Sequence, residues 1–258
     1  MSVASPAAER AAYSATPDVD TWLQPRVEAA CDLALGELAP SSVEGLILIG
    51  SLARGEASVL CERGQCRILG DVEFLLIVRG QPKWREFRRH LHEIGQRATK
   101  QLSEGGSEFP VEFTPADISY LRERARPSAF TWDLRHHGRV LHGRPNLLDE
   151  VPAFERPAMP PEDAVETLMN RGLELLAARG AGPTPESHAD ALVKTLVDMA
   201  GSALAFAGAY ESLTARRPAA FRELLTRRDD LGATLHDSER LSAAIGAAAK
   251  LKLHPTSR

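Results

Sequence analysis

The sequence predicts an α/β (α+β) chain, with a sheet flanked by helices up to about residue 150 and an all-helical unit after it. Three observations predict this. Leu46-Ile47-Leu48-Ile49 and Val72 to Val78 are short apolar runs, and Phe109-Pro-Val-Glu-Phe-Thr114 alternates apolar and polar residues, so all three read as strands. Segments with apolar residues at helical spacing separate them. Beyond Pro145 every strong pattern is helical.

Taken in order, Met1 to Thr16 is rich in Ala, Ser and Pro and lacks a basic segment followed by an apolar one, so residues 1–20 are expected to be a disordered leader and not a signal peptide. Trp22 to Leu38 carries Leu23, Val27, Ala30, Leu33 and Leu35 at helical spacing, with Pro40 closing the helix. A strand over Gly45 to Ile49 then runs into Gly50-Ser51, and Ser51 to Ala57 reads as a short helix. Ser58 to Leu69, two apolar pieces around Gly64, reads as a loop or small hairpin. A strand over Asp71 to Arg79 is stopped by Gly80 and Pro82. A basic amphipathic helix follows over Trp84 to Leu102, then a loop at Gly105-Gly106. Thr114-Pro115 looks like an N-cap with proline at the first helical position, opening a helix to about Arg124. Ala129 to Arg135 reads as a helical turn and Gly138 to Gly143 as a short strand.

Pro152, Pro157, Pro160 and Pro161 mark a boundary, dividing residues 21–150 from residues 151–258. Helices are predicted over Glu162 to Arg179, Glu186 to Gly208, Ala219 to Arg227 and Ser238 to Leu251, with Pro161, Pro185 and Pro218 where three of them start.

Composition narrows the function classes. The 258 residues are 43% hydrophobic and 26% charged, ordinary for a globular protein, and no apolar stretch reaches the ~20 residues a membrane helix needs. A net charge of -4 gives no general electrostatic footprint for nucleic acid, so no nucleic-acid or membrane partner is expected. Cys31, Cys61 and Cys66 are too few, and odd in number, for a disulfide framework, so a reducing cytoplasmic location is expected.

The chemistry concentrates at two places. Gly50-Ser51 ends an apolar run and opens a helix whose first N–H groups can receive an anion. Asp71 and Glu73 stand at i and i+2 of a strand, so their side chains share one face about 7 Å apart along the backbone and can point at one cation. Gly50 to Gly55 has the glycine spacing of a P-loop, but Glu56-Ala57 stands where that motif needs Lys and Ser or Thr. The three-glycine spacing of a dinucleotide fold is also absent. A plain strand-to-helix turn remains the bland alternative.

With Ile49-Gly50-Ser51, Gly70-Asp71-Val72-Glu73-Phe74 and Val111-Glu112-Phe113 in that order, residues 43–143 resemble the nucleotidyltransferase superfamily that includes DNA polymerase beta and the antibiotic nucleotidyltransferases. The Gly-Arg-Val-Leu-His-Gly segment looks like the strand that closes this domain in the antibiotic-modifying branch. The resemblance implies a nucleotidyltransferase-type mixed sheet over 21–150, followed by a helical C-terminal domain over 151–258. It also implies Asp71 and Glu73 as ligands to Mg²⁺, with two ions expected, and Glu112 as a further ligand or the base for the acceptor hydroxyl. Gly50, Ser51 and Arg54 are implied at the phosphates of ATP or another nucleoside triphosphate, with Lys194 a secondary candidate. The implied reaction moves a nucleoside monophosphate, AMP from ATP for preference, to a hydroxyl of a small molecule or protein. The alternative is a nucleotide sensor or scaffold that keeps the fold without turnover. This sequence departs from the pattern in the nineteen residues 52–70 between Ser51 and Asp71, which read as an inserted hairpin near the site, and in Glu at position 73 where Asp is commoner.

Lesser signals have bland readings. Asp190 and Asp198 flank Lys194 at four-residue spacing, which favours ion pairing along the helix. Tyr210 reads as a buried helix-end residue. Cys61 and Cys66 have no second Cys/His pair at zinc spacing, and none of the histidines forms a His-Glu-x-x-His motif.

Overall fold

The computed structural model describes residues 12–80, 82–103, 107–180, 185–228, 230 and 237–256. The loop expected at Gly105-Gly106 and residues 1–11 of the expected leader lie outside these. Residues 12–20 do not form a leader. The Tyr13 and Ser14 amides donate to Asp20 Oδ1 at 3.0 and 2.8 Å, and Tyr13 O accepts from Ala57 N at 2.9 Å. Helix α1 already starts at Pro17 and runs to Glu37, with Pro25 inside it.

A four-stranded mixed sheet is built from β1 (Val43–Leu48), β4 (Val72–Val78), β5 (Val111–Asp117) and β6 (Arg139–Gly143), in the order β5-β4-β1-β6. β1 pairs antiparallel with β4 and with β6, whereas β4 and β5 are parallel. Their parallel register requires a crossover, and α3 (Trp84–Leu102) supplies it with the bounds the sequence predicts. Between β1 and β4 lie the single-turn α2 (Gly50–Ala53) and a hairpin of β2 (Val59–Glu62) and β3 (Gln65–Ile68). Arg63 (φ 51°) and Gly64 (φ 81°) occupy the hairpin's two-residue turn, the left-handed pair that such turns demand.

The pleat sorts β4 into two cores. Val72, Phe74, Leu76 and Val78 join α1 and α3 residues such as Leu23, Leu91 and Ile94 on one face. Leu75 and Ile77 join Ile47, Ala116 and Leu134 on the other, beneath α4 (Ala129–His137). Both faces of β4 are therefore covered, which explains its near-continuous apolar run.

The helix expected from Thr114-Pro115 is not formed there. β5 continues to Asp117, and Pro115 sits within it. β5 is an edge strand, and Val111 N turns outward to Thr99 Oγ1 at 2.9 Å, so Pro115, four residues on, also faces outward, where its missing N–H breaks no ladder bond. The cap is Asp117 instead: its Oδ1 accepts from Tyr120 N at 2.9 Å and starts a π-helical turn over Tyr120–Arg124. The helix expected over Ser51 to Ala57 is likewise shorter, because Gly55 turns the chain at φ 75° after Ala53.

After residue 150 the described regular elements are helical: α5 (Pro161–Gly180), α6 (Pro185–Phe206), α7 (Arg217–Arg227) and α8 (Ser238–Leu253), besides a short 3₁₀ turn at Arg156–Ala158. Val197, Ala200, Phe221, Ile245 and Ala248 form cores wholly within α6, α7 and α8. Met159, Ala164, Ala205 and Tyr210 pack with Ala129, Trp132 and Phe154, joining these helices to α4. No described helix is long and apolar enough to cross a membrane.

Candidate active site

A cleft of about 380 Å³ lies where the sheet, α2 and α4 meet α5, α6 and α8. Its floor includes Gly50, Ser51, Asp71 and Glu73, and its roof includes Arg171, Lys194, Asp198 and Lys252. The floor follows from the pleat. Asp71 and Glu73 share the face of Leu75 and Ile77, at the end of β4 that enters from the hairpin. Ile49 N donates to Glu73 O at 3.0 Å, which ties the β1–α2 turn beside them.

Gly50 is required by Glu73. A Cβ at Gly50 would lie 2.1 Å from Glu73 Oε2, so any side chain there would displace the Glu73 carboxylate, and φ 71° strains residues other than glycine. The glycine and the carboxylate, 23 positions apart, are one structural unit.

Glu112 is in direct register with Glu73 on the parallel neighbour strand and falls on the same face, since Ala116 of β5 packs in the core beneath α4. Its charge acts on Glu73, whose carboxyl is pushed up first by burial and then by Asp71 and Glu112, against Arg54 and Arg171. Glu112 is nevertheless exposed and does not line the cleft; it borders a separate groove between α3 and β5 with Arg88, His92 and Lys100. Among the described residues no three His, Cys, Asp or Glu side chains gather closely enough to hold a metal by themselves. The pair Asp71 and Glu73 does suit Mg²⁺, which takes oxygen ligands and is commonly held by one or two carboxylates together with substrate phosphates. The repulsion that raises Glu73 is what a dication would relieve.

Arg54 lines the cleft but is committed elsewhere. Its guanidinium donates to Asp133 Oδ2 at 2.8 Å and more weakly to Glu56 at 3.4 Å. Burial alone would lower Arg54, yet Asp133 and Glu56 outweigh it and hold the cation. Tyr210 is buried as expected, its hydroxyl donating to Asp133 Oδ1 at 3.2 Å. His137 pairs with Ser212 Oγ at 2.8 Å, and burial lowers its pKa. This network joins α4 to the helices, and its centre, Asp133, carries no signal in the sequence motifs.

On the roof, the expected pairing of Lys194 with its helix neighbours does not occur. Asp198 instead takes Arg171 at 2.7 Å and the buried Arg217 at 3.1 Å. Burial pushes Asp198 up, but Lys252, Arg217 and Arg171 outweigh it and hold it below the usual carboxylate range. Lys194 makes no ion pair among the described residues and turns toward the cleft. Lys252, absent from the sequence reading, is half-buried there and lowered to about 8 by desolvation, with Asp198 opposing. No motif signals Arg171 or Lys252; only packing brings them to the site.

A second cavity of about 440 Å³ adjoins the cleft through Ser58, Leu69, Lys194 and Lys252. The hairpin contributes Leu60, Glu62 and Arg67 to it, α6 contributes Asp190 and Val193, and Leu251 and Pro255 close it. Ser58 Oγ donates to Lys252 O, anchoring the hairpin to the end of α8. Cys61 and Cys66, opposite each other in the hairpin, form a disulfide, where the sequence predicts no disulfide framework; Cys31 is free and buried. The inserted segment is thus a wall of a cavity beside the acidic pair.

No protein-family model matches the chain, and comparison with curated proteins finds no match.

Proposed function

We propose that the chain is a Mg²⁺-dependent nucleotidyltransferase, most simply one that moves AMP from ATP to a hydroxyl with release of pyrophosphate. One observation carries this reading: Asp71 and Glu73 lie against the Gly50-Ser51 turn, with Glu73 occupying the space that Gly50 leaves free, beneath a roof bearing Arg171, Lys194 and Lys252. Carboxylates for a metal and cations for phosphates thereby face one cleft, the pairing that phosphoryl-group chemistry needs.

In this reading Asp71 and Glu73 hold Mg²⁺, which supplies charge neutralisation at phosphate oxygens. Ser51 and neighbouring backbone N–H groups bind the leaving phosphates, with Lys194 and Lys252 opposite them. The acceptor oxygen attacks the α-phosphorus, the bond from it to the bridging oxygen of the β-phosphate breaks so that pyrophosphate leaves with that electron pair, and the hydroxyl proton passes to water, because Glu112 does not line the cleft. Arg54 acts indirectly, by fixing α2 against α4 through Asp133. The adjoining cavity, with Leu60, Leu69, Val193 and Leu251 in its wall, fits a small molecule with an apolar body better than a protein or nucleic-acid strand.

A sensor or scaffold without turnover is the second reading, and the position of Glu112 outside the cleft favours it. Pyrophosphate release from each nucleoside triphosphate with Mg²⁺, across a panel of hydroxyl acceptors, separates the two. Release that disappears in Asp71→Asn supports the transferase. Mg²⁺-dependent nucleotide binding without release supports the sensor, and no binding at all overturns both.

A further inference from the structure

We propose that the chain forms a two-fold dimer through the outer face of α5, with the helix packed antiparallel against its own copy. Val165, Leu168, Met169, Leu173 and Leu176 are 40–64% exposed. With Gly172 they fall at helical spacing on one continuous face, so α5 presents an apolar stripe to solvent. The opposite face is occupied: Ala164 is buried and Arg171 bridges to Asp198 of α6. A contiguous stripe of large apolar side chains is a feature monomeric proteins rarely leave uncovered.

The order of residues along the stripe names the occupant. An antiparallel copy related by a two-fold axis between Asn170 and Arg171 sets Val165 beside Leu176 of the second copy, and Leu168 beside its Leu173. Met169, the longest side chain of the stripe, meets Gly172, where a Cβ would find nothing within 4 Å. Each copy thus offers a knob where the other offers a hole. The same operation sets Glu162 beside Arg179 of the second copy. Both are exposed and make no ion pair among the described residues, and both lie at the rim, where charge fixes register. A parallel copy would instead oppose Glu162 to Glu162 and Arg179 to Arg179. The match of shape at the centre and of charge at both ends is what an isologous interface requires. Because Arg171 lies on the far side of α5, this interface leaves the cleft open.

Sedimentation velocity on the full chain over a concentration series tests the proposal. The expected result is a species of twice the 28.0 kDa chain mass that dissociates on dilution. Met169→Glu is expected to raise the dissociation constant ~30-fold or more, the scale of a hot-spot loss. Leu173→Glu serves as a second disrupting variant, with circular dichroism confirming that each is folded. Glu162→Arg and Arg179→Glu should each weaken the dimer at low salt, and the double charge swap should restore it. A monomer at every concentration, a dimer indifferent to both apolar substitutions, or a charge swap without rescue would overturn the proposal.

Discussion

The floor of the cleft is acidic through Asp71 and Glu73 at the entry of one strand, whereas its roof is basic and is assembled from three helices distant in sequence. On the floor, the Glu73 carboxyl is raised first by burial and then by the charge of Asp71 beside it and of Glu112 on the neighbouring strand outside the cleft. On the roof, Asp198 is shared among Arg171, Arg217 and Lys252, and one lysine, Lys194, is left facing the floor. Strand spacing fixes the first set rigidly, while the second depends on how α5, α6 and α8 pack. The difference teaches that the destabilised group of each wall is complemented by charge it does not yet touch, which is how a site poised for a metal and an anion is expected to look.

Substitutions can break either wall, beginning with the largest effect. Asp71→Asn is expected to lower pyrophosphate release at least ~100-fold, because metal charge stabilisation is worth several kcal/mol. Glu73→Gln should show the trade between function and stability. It should abolish the Mg²⁺-dependent effect of nucleotide while raising the melting temperature of the free protein at neutral pH. The sign follows from the raised carboxyl. The penalty for the charged form is present above its folded pKa and disappears as pH falls through that value toward the usual 4.5, so the gain should vanish in acid.

Asp133→Ala leaves the buried Arg54 with only the weaker Glu56 contact and should cost about 3 kcal/mol in chemical denaturation. Gly50→Ala should cost about 1–3 kcal/mol through the left-handed backbone, and should also displace Glu73, so stability and Mg²⁺ dependence fall together. On the roof, the Lys252 ammonium is penalised fully below about 8 and progressively less as pH rises toward the ordinary 10.5, so wild-type stability gains over that window. Lys252→Met should be more stable than wild type below pH 8, with the advantage shrinking above it. Cys61→Ser should have the smallest effect, at most about 2 kcal/mol, because the disulfide closes a loop of only a few residues.

The two walls were unequally legible. α3 was read to the residue, because its apolar and basic faces separate cleanly, and Asp71 and Glu73 declared a shared face through their spacing. Thr114-Pro115 misled because its local chemistry is that of a helix start; only the sheet order shows that β5 is an edge, where proline is harmless. The disulfide depends on the hairpin register that puts Cys61 opposite Cys66, which a count of cysteines does not carry. Lys194 was assigned to its nearest aspartates because helix spacing says nothing of Arg171 and Arg217, which arrive from other helices and take Asp198 first. Nothing near Lys252 in sequence marks a half-buried amine facing the cleft.

In the proposed function the acidic floor holds a cation through which nucleotide is bound. The most direct test is the melting temperature of wild type and of Asp71→Asn with ATP, in the presence and absence of Mg²⁺. Wild type should be stabilised by ATP only when Mg²⁺ is present, and Asp71→Asn should not be stabilised in either condition. Equal stabilisation of the two proteins, or stabilisation of wild type that ignores Mg²⁺, would contradict it.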